Sequence, residues 1–335
     1  MRTIFLVFLI MLQIGCKQGT ESYVRNTHSG PALGTSYNII FLENRELNLK
    51  REIDSVFDAV NKSMSTYIKD SDISRINDGD TTVVVDQMFR EVFELSNTVY
   101  NKTEGYFDPT VGVLVNAWGF GPGEQLSLDK ARVDSLLNYV GFHKVQLTSH
   151  NKIKKELAGI RFDFNAIAKG YTLDRLAVLL DRQEIDNYLV ELGGEVVTKG
   201  ENKIKGKMWT VGIEDPQNAQ MGALKITIPL KNRALASSGN YRKFRIDSIS
   251  GEKYVHTIDP KNGFTKNSKI LGANVLADNC ALADAYATAF MAMDLETSKT
   301  ILYGLKDIDA YIIYLGEDGE TKEFMTQGFK SLLSP

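Results

Sequence analysis

An excess of charge of one sign is the first thing this chain lacks. Its 335 residues carry 39 Lys and Arg against 42 Asp and Glu, a formal net charge of −3, and no basic block stands out. Nucleic-acid binding depends on clustered cations that neutralise phosphates, so no nucleic-acid partner is expected. Cysteine is scarce, with only Cys16 and Cys280. Should Cys16 be modified, as the N-terminus suggests, no intrachain disulfide can form even in an oxidising compartment. Cys280 precedes an apolar helix and reads as a small buried side chain rather than a nucleophile. Proline is sparse too, at 7 residues. From about His28 onward no Pro/Gly-rich linker, repeat or low-complexity tract divides the chain, which favours one continuous domain, with room for two lobes. The GxxxxGK[ST] pattern is missing, so there is no Walker loop. At 43% apolar and 24% charged, the remainder is ordinary globular composition.

What is present starts at the N-terminus. Arg2 opens a short positive region, and the run from Ile4 to Leu12 is too short to span a bilayer but fits a secretory signal. Gly15-Cys16 then resembles a bacterial lipoprotein signal, with cleavage before Cys16 and lipid on its thiol, although Gln13 stands where Leu is usual. A plain signal peptide or an unprocessed anchor is the alternative. Residues 1–15 are thus expected to be a signal, 16–27 a lipidated polar tether, and 28–335 the folded domain. The mature chain is expected to be exported and anchored to a bacterial membrane, facing the periplasm.

Apolar residues recur at helical spacing in 46–63, 86–102, 129–139 and 166–182, and an Ala- and Met-rich helix is predicted for 279–293. Strands are predicted at 36–42, 187–198, 207–214, 222–230, 241–247, 253–258, 270–277 and 308–315. Helices gather in the first half and strands in the second, which favours α+β with mostly antiparallel sheet over a doubly wound fold.

Several segments can carry chemistry. In the 279–293 helix Asp284 and Thr288 lie four residues apart and share a face. Their surroundings are apolar, where an ionised carboxylate is costly unless paired or bound to a cation. A carboxylate and a hydroxyl without a neighbouring His or second acid suit a hard ion such as Mg²⁺. The alternative is an Asp paired with a distant cation and a Thr bonded back to its own helix. DFNAIAKGY at 163–171 opens a helix near Lys169 and reads either as an anion site or as a plain capped helix. GYFDPTVGVLVNAWGFG at 105–121 mixes aromatics with glycines, which shapes a flat pocket or simply closes the core. MSTYIKDSDISRIN at 64–77 is a polar loop in which Tyr67 can stack. ELGGE at 191–195 and SSGNY at 237–241 are Gly-containing turns that admit a ligand or only reverse the chain. His256, one of 4 histidines, stands three residues before Asp259-Pro260 and is able to exchange protons near neutral pH, or is structural.

Together these segments resemble the ApbE family, Mg²⁺-dependent FAD:protein FMN transferases. In order they are Gly34-Thr35, MSTY to Tyr67 with Ser71, Ser74, Arg75 and Asn77, FDPT at 107–110, NAWGFG at 116–121, and DFNAIAKGY from Asp163. LGGE at 192–195, SGNY at 238–241, HTIDP from His256 with Gly263, and ADAYATA at 283–289 complete the series. The resemblance implies an ApbE-like, T-fold-related bilobed domain. It implies Mg²⁺ on Asp284 and Thr288, with the Ala166 carbonyl completing the site and Ala287 beside it. Leu33, Tyr67, Tyr106, Phe107, Asp108, Asp163, Lys169 and Ile258 match positions that contact FAD; the family often has Met where Leu33 stands, and Pro where Thr265 stands. The implied reaction is attack of a Thr or Ser hydroxyl of a partner protein on the FMN-side phosphorus of FAD, with AMP leaving. His256 is the expected base and Asp259 its orienting group. The implied acceptor is a periplasmic FMN-binding domain of a membrane redox complex. Rival expectations are an FAD pyrophosphatase giving FMN and AMP, a non-catalytic FAD-binding lipoprotein, and self-flavinylation at DSISGE, 247–252.

Overall fold

The structure is a computed structural model that describes residues 22–218, 222–240, 244–246, 253–266 and 268–333. The expected signal, Cys16 and the DSISGE segment lie outside those residues. The chain opens with a hairpin, β1 (Val24–Ala32) and β2 (Thr35–Glu43), followed by α1 (Lys50–Met64), α2 (Asp72–Asn77), α3 (Gln87–Lys102), α4 (Gly112–Ala117) and α5 (Lys130–Leu137). A short hairpin, β3 (Val145–Leu147) and β4 (Ile153–Lys155), precedes α6 (Ala168–Arg182). Strands then dominate: β5 (Tyr188–Leu192), β6 (Glu195–Lys199), β7 (Trp209–Glu214), β8 (Leu224–Leu230), β9 (Ala234–Gly239), β10 (Phe244–Ile246), β11 (Lys253–Val255) and β12 (Ile270–Ala277). The remainder is α7 (Cys280–Ala292), α8 (Leu295–Gly304), β13 (Asp309–Leu315), β14 (Thr321–Met325) and α9 (Gln327–Ser331).

An eight-stranded sheet in the order β1-β2-β5-β6-β9-β12-β13-β14 forms the centre, and every neighbouring pair in it is antiparallel. Period-two alternation divides its side chains between two cores. Ala310 and Ile312 of β13 face the helical layer, while Tyr311 and Ile313 face the β7–β8 hairpin and Phe329 of α9. The helical layer is built on α7, which packs against β9, β12, α6 and α3. Its many alanines let the sheet and α6 approach closely, and Asn279 caps it by accepting the Leu282 N–H at 2.9 Å. A smaller lobe has its own core, where Leu114, Trp118, Val133 and Val140 of the α4–α5 region meet Ile258. The α+β architecture with antiparallel sheet is as predicted.

Three boundaries differ. The sheet begins at Val24, so residues 24–27 belong to β1 and not to a tether. Asn26 is 6% exposed and clamps the chain by accepting the Leu47 N–H at 2.7 Å and donating to the Arg45 carbonyl at 3.1 Å. The predicted strand 187–198 is a hairpin, because Gly193 and Gly194 take φ of 62° and 103° and reverse the chain between β5 and β6. Of the predicted strand 241–247 the described residues 244–246 form β10, and the predicted strand 253–258 shortens to β11; the two make a separate two-stranded ribbon. His256 thus lies in a bend after β11 rather than within a strand.

Candidate active site

Carboxylates exchanged between α6 and α7 tie the two helices together at their N-termini. Asp174 of α6 accepts the backbone N–H groups of Cys280 and Ala281 at 2.7 and 2.9 Å. Asp284 of α7 accepts the Gly170 N–H of α6 at 3.1 Å through Oδ2. Each acid satisfies first-turn donors of the other helix and sits at the positive end of its dipole. Asp284 is only 3% exposed. Ala166 falls in the turn before α6. Because Gly170 donates to Asp284 instead, no backbone N–H among the described residues bonds to the Ala166 carbonyl. Burial pushes the Asp174 carboxyl up to about 7 despite its two N–H partners.

Lys169, one residue before Gly170, donates to Oε1 of Glu195, the first residue of β6. Glu195 is 2% exposed, and its other oxygen, Oε2, is buried without a hydrogen-bond partner. Burial raises the Glu195 carboxyl, with Lys169 opposing and Asp284 adding to the rise. Burial alone would lower the Lys169 ammonium, but the negative charges of Asp284 and Glu195 outweigh it and hold the group above the ordinary lysine range. The half-buried ammonium is thus paired with the Glu195 carboxylate and lies in the field of Asp284.

Two side-chain contacts lie between this cluster and the histidine segment. Thr288, one turn beyond Asp284, lies with its hydroxyl 3.4 Å from that of Ser238 at the end of β9. Two residues on, the Asn240 Oδ1 accepts from the Thr257 hydroxyl at 2.8 Å, and Thr257 directly follows the half-buried His256. Asp259 shapes the following turn: Oδ1 accepts the Lys261 N–H at 2.9 Å and Oδ2 the Asn262 amide at 2.9 Å. The turn is pinned from the other lobe, where the Trp118 indole N–H donates to the Gly263 carbonyl at 2.8 Å. Both Asp259 oxygens thus help to hold the loop that carries the imidazole.

The remaining predicted positions divide into open and buried ones. Tyr67 is 63% exposed, and burial of its hydroxyl end together with the charge of Asp163 raises its phenol. Asp163 accepts from the Asn165 N–H at 2.7 Å and from the Asn165 side-chain amide at 3.2 Å. The Lys261 ammonium lies 4.0 Å from the centre of the Tyr106 ring. Leu33 is partly buried at the tip of the β1–β2 hairpin with φ of 48°, beside Gly34 with φ of 75°, as a two-residue type I′ turn requires. Phe107, by contrast, is packed in the main core and offers no free ring face. The Asp108 carboxylate is taken up by the Thr110 N–H and hydroxyl at 2.8 and 2.6 Å and by the Phe142 N–H at 3.1 Å. Ile258 is 8% exposed in the small-lobe core. From these three only backbone atoms or an edge are left for a ligand. A cavity of about 490 Å³ between α3 and α6, lined by Glu91, Tyr171, Asp174 and Arg175 among others, shares no lining residue with the predicted set.

Residues 33–312, which include the cluster, the two contacts and the open aromatics, match the ApbE family. The chain belongs to the ApbE family. It is 34% identical over 336 residues to a FAD:protein FMN transferase of Vibrio cholerae serotype O1, covering 97% of each chain. A FAD:protein FMN transferase of Haemophilus influenzae is 33% identical over 285 residues, covering 79% of this chain and 80% of its own. Among solved structures, the flavin transferase ApbE from Vibrio cholerae superimposes with a TM-score of 0.82 at 32% identity, over 93% of this chain and 100% of that one.

Within this ApbE fold the donors suited to a cation are all oxygen: the Asp284 carboxylate, the Thr288 hydroxyl and the Ala166 carbonyl. Ala287 is fully buried between the first two and adds no side-chain donor. No group of three or more His, Cys, Asp or Glu able to hold a metal occurs among the described residues. The chemistry of the oxygen set and the surplus of negative charge fit a hard divalent cation. Sequence reasoning overlooked Glu195, Asp174, Ser238 and Asn240 as individual residues. Glu195 ends the LGGE turn and Ser238 opens SGNY, so the motifs pointed to them although no periodicity did.

Proposed function

We propose that this chain transfers FMN from FAD to a Thr or Ser hydroxyl of a target flavoprotein through a phosphoester bond, releasing AMP. The observation that carries the proposal is the buried Asp284 and Lys169 cluster, with the Thr288–Ser238 contact and the Thr257–Asn240 hydrogen bond on the stretch of sheet between it and the His256 segment. In this reading the oxygen-rich cluster takes the diphosphate with its cation, and His256 is the proton acceptor. The names of the relatives support the same activity.

In this reading Asp284, Thr288 and the Ala166 carbonyl hold Mg²⁺. When bound, Mg²⁺ neutralises charge that builds on the diphosphate oxygens. Lys169 steers the diphosphate, and Tyr67 and Tyr106 offer ring faces to the flat parts of FAD. His256 takes the proton from the acceptor hydroxyl as that oxygen forms its bond to the FMN-side phosphorus. The bond from that phosphorus to the bridging oxygen breaks, and the oxygen leaves with AMP. Asp259 and Trp118 keep the His256 loop in place. We assign the acceptor to a periplasmic FMN-binding domain of a membrane redox complex, and the enzyme to the periplasmic face of a membrane through lipid on Cys16.

The test is mass spectrometry of such an acceptor domain after incubation with the enzyme, FAD and Mg²⁺. A covalent FMN adduct together with stoichiometric AMP is expected. Equal AMP release without acceptor, and no adduct with it, would show hydrolysis instead.

A further inference from the structure

We infer that Glu195 is a positioning residue that holds the Lys169 ammonium away from Asp284 and so keeps that carboxylate available to a divalent cation. The inference deepens the metal reading and rests on it. A buried carboxylate with one oxygen unpartnered is expensive, and an apolar residue or an amide would ordinarily replace it at lower cost. Glu195 is 2% exposed, yet its Oε2 has no partner, and Lys169 is the one side chain among the described residues that donates to it. Its backbone is fixed by the Gly193-Gly194 turn immediately before it.

Lys169 also lies in the field of Asp284. Without a counter-charge of its own, the ammonium would turn to Asp284, and a cation would have to displace it. With Glu195 in place the ammonium is already neutralised, and it remains beside the site for an anionic ligand. A simple loss of negative charge at 195 would also weaken cation binding, but equally whether or not Lys169 is present. The competition account requires that the effect of position 195 depend on Lys169.

Mn²⁺ is the probe, its binding to the folded full chain in the absence of FAD measured by electron paramagnetic resonance of the free ion. Glu195→Gln is expected to weaken Mn²⁺ binding about tenfold, the least effect that an opposite charge a few ångströms away exerts on a carboxylate. In the Lys169→Met background the same substitution should change affinity by less than about threefold, by the same reasoning. Equal weakening in both backgrounds, or none in either, overturns the inference. If Glu195→Gln does not fold, Glu195→Asp, which withdraws the charge by one methylene, is read in the same two backgrounds with the same sign expected. Asp284→Asn separates the two levels: if it leaves Mn²⁺ binding intact, the metal assignment itself fails, whatever Glu195 does.

Discussion

Gly170→Ala sets two effects of opposite sign against each other at the junction of α6 and α7. Alanine is the better helix former by about 0.8–1.0 kcal/mol in a helix interior, so propensity alone forecasts a more stable protein. The structure forecasts the reverse. A Cβ at position 170 would stand 2.2 Å from the Cys280 carbonyl oxygen, 2.6 Å from its carbon and 2.9 Å from the Ala281 nitrogen. All three are backbone atoms of the first turn of α7, where Asp174 holds the adjoining N–H groups. Ordinary carbon contacts lie at about 3.5–4.0 Å, so the helices would have to part by about 1 Å or more. Overpacking of this kind costs about 1–3 kcal/mol, and loss of the hydrogen bond from the Gly170 N–H to the Asp284 carboxylate about 1.5–3 kcal/mol more. Set against the propensity gain, the net loss is about 1.5–5 kcal/mol, a fall in melting temperature of roughly 2–7 °C for a chain of this size. Circular-dichroism melts and urea titration read the stability, and Mn²⁺ binding reads the displacement of Asp284. Gly304, the last residue of α8, has open space around its would-be Cβ and is the control, for which Ala should be neutral or slightly stabilising. A Gly170→Ala protein as stable as the wild type, with unchanged Mn²⁺ affinity, would refute the claim that the approach of the two helices is rigid.

Replacing His256 with Ala should leave FAD binding intact by equilibrium dialysis while transfer to an acceptor falls by about 10²–10⁴-fold, the usual size of a general-base contribution; full transfer activity would remove the imidazole from the mechanism. Trp118→Phe leaves the Gly263 carbonyl without its indole donor and should cost about 1–3 kcal/mol in urea unfolding, the price of a buried unsatisfied group; no change would mean that water serves as well. Asp174 gives a pH signature: burial lifts its carboxyl from the ordinary 3.8 to about 7 in the folded state. Between those values the folded protein holds a proton that the unfolded chain lacks, so this contribution is full at low pH and is lost as pH rises through about 7. Asp174→Asn does not titrate, so its melting temperature should gain on that of the wild type between about pH 5 and pH 8. A gap between the two that stays constant over that range would show Asp174 to be ionised throughout.

The central strands were legible because their residues alternate between two buried faces. Strand β13 reads as Ala310 and Ile312 on one side and Tyr311 and Ile313 on the other, a period that only a sheet with a core on each face requires. Strand β1 offers no such signal. VRNTHSGPA is polar and lies at the edge, and it becomes a strand because β2 presents a full row of backbone partners to it. The 187–198 run has strand-forming residues on both sides of Gly193-Gly194, so composition favours one strand while ELGGE marks a turn, and the positive φ at the glycines decides for the hairpin. In the site, Asp284 was legible as a lone acid in an apolar helix. Glu195 was not, since its meaning lies in a pairing with Lys169, 26 positions away. Asp174 falls at a helix position where a surface acid is equally at home. Phe107 and Asp108 are the converse: they belong to a motif that suggests a ligand, while their side chains serve the core and a turn.

Strand β9 explains why motifs so far apart in sequence converge. Ala234, Ala236 and Ser238 lie on its face toward the helical layer, and Leu235 lies on the opposite one. Small residues on the inner face let α7 approach until the Thr288 hydroxyl comes within 3.4 Å of Ser238. The pairing of Ser238 with Ala273 and of Gly239 with Gly272 then fixes where the strand ends and where Asn240 emerges to hold Thr257. A slip of one residue would bring Ser237, which donates to Asn274 at 2.7 Å on the other face, round to α7 and carry Asn240 away from the histidine segment. The placing of the proposed cation ligands relative to the histidine segment is therefore tied to sheet register. That dependence gives the short run of small residues in the middle of the sheet a part in the site that local patterns leave unexplained.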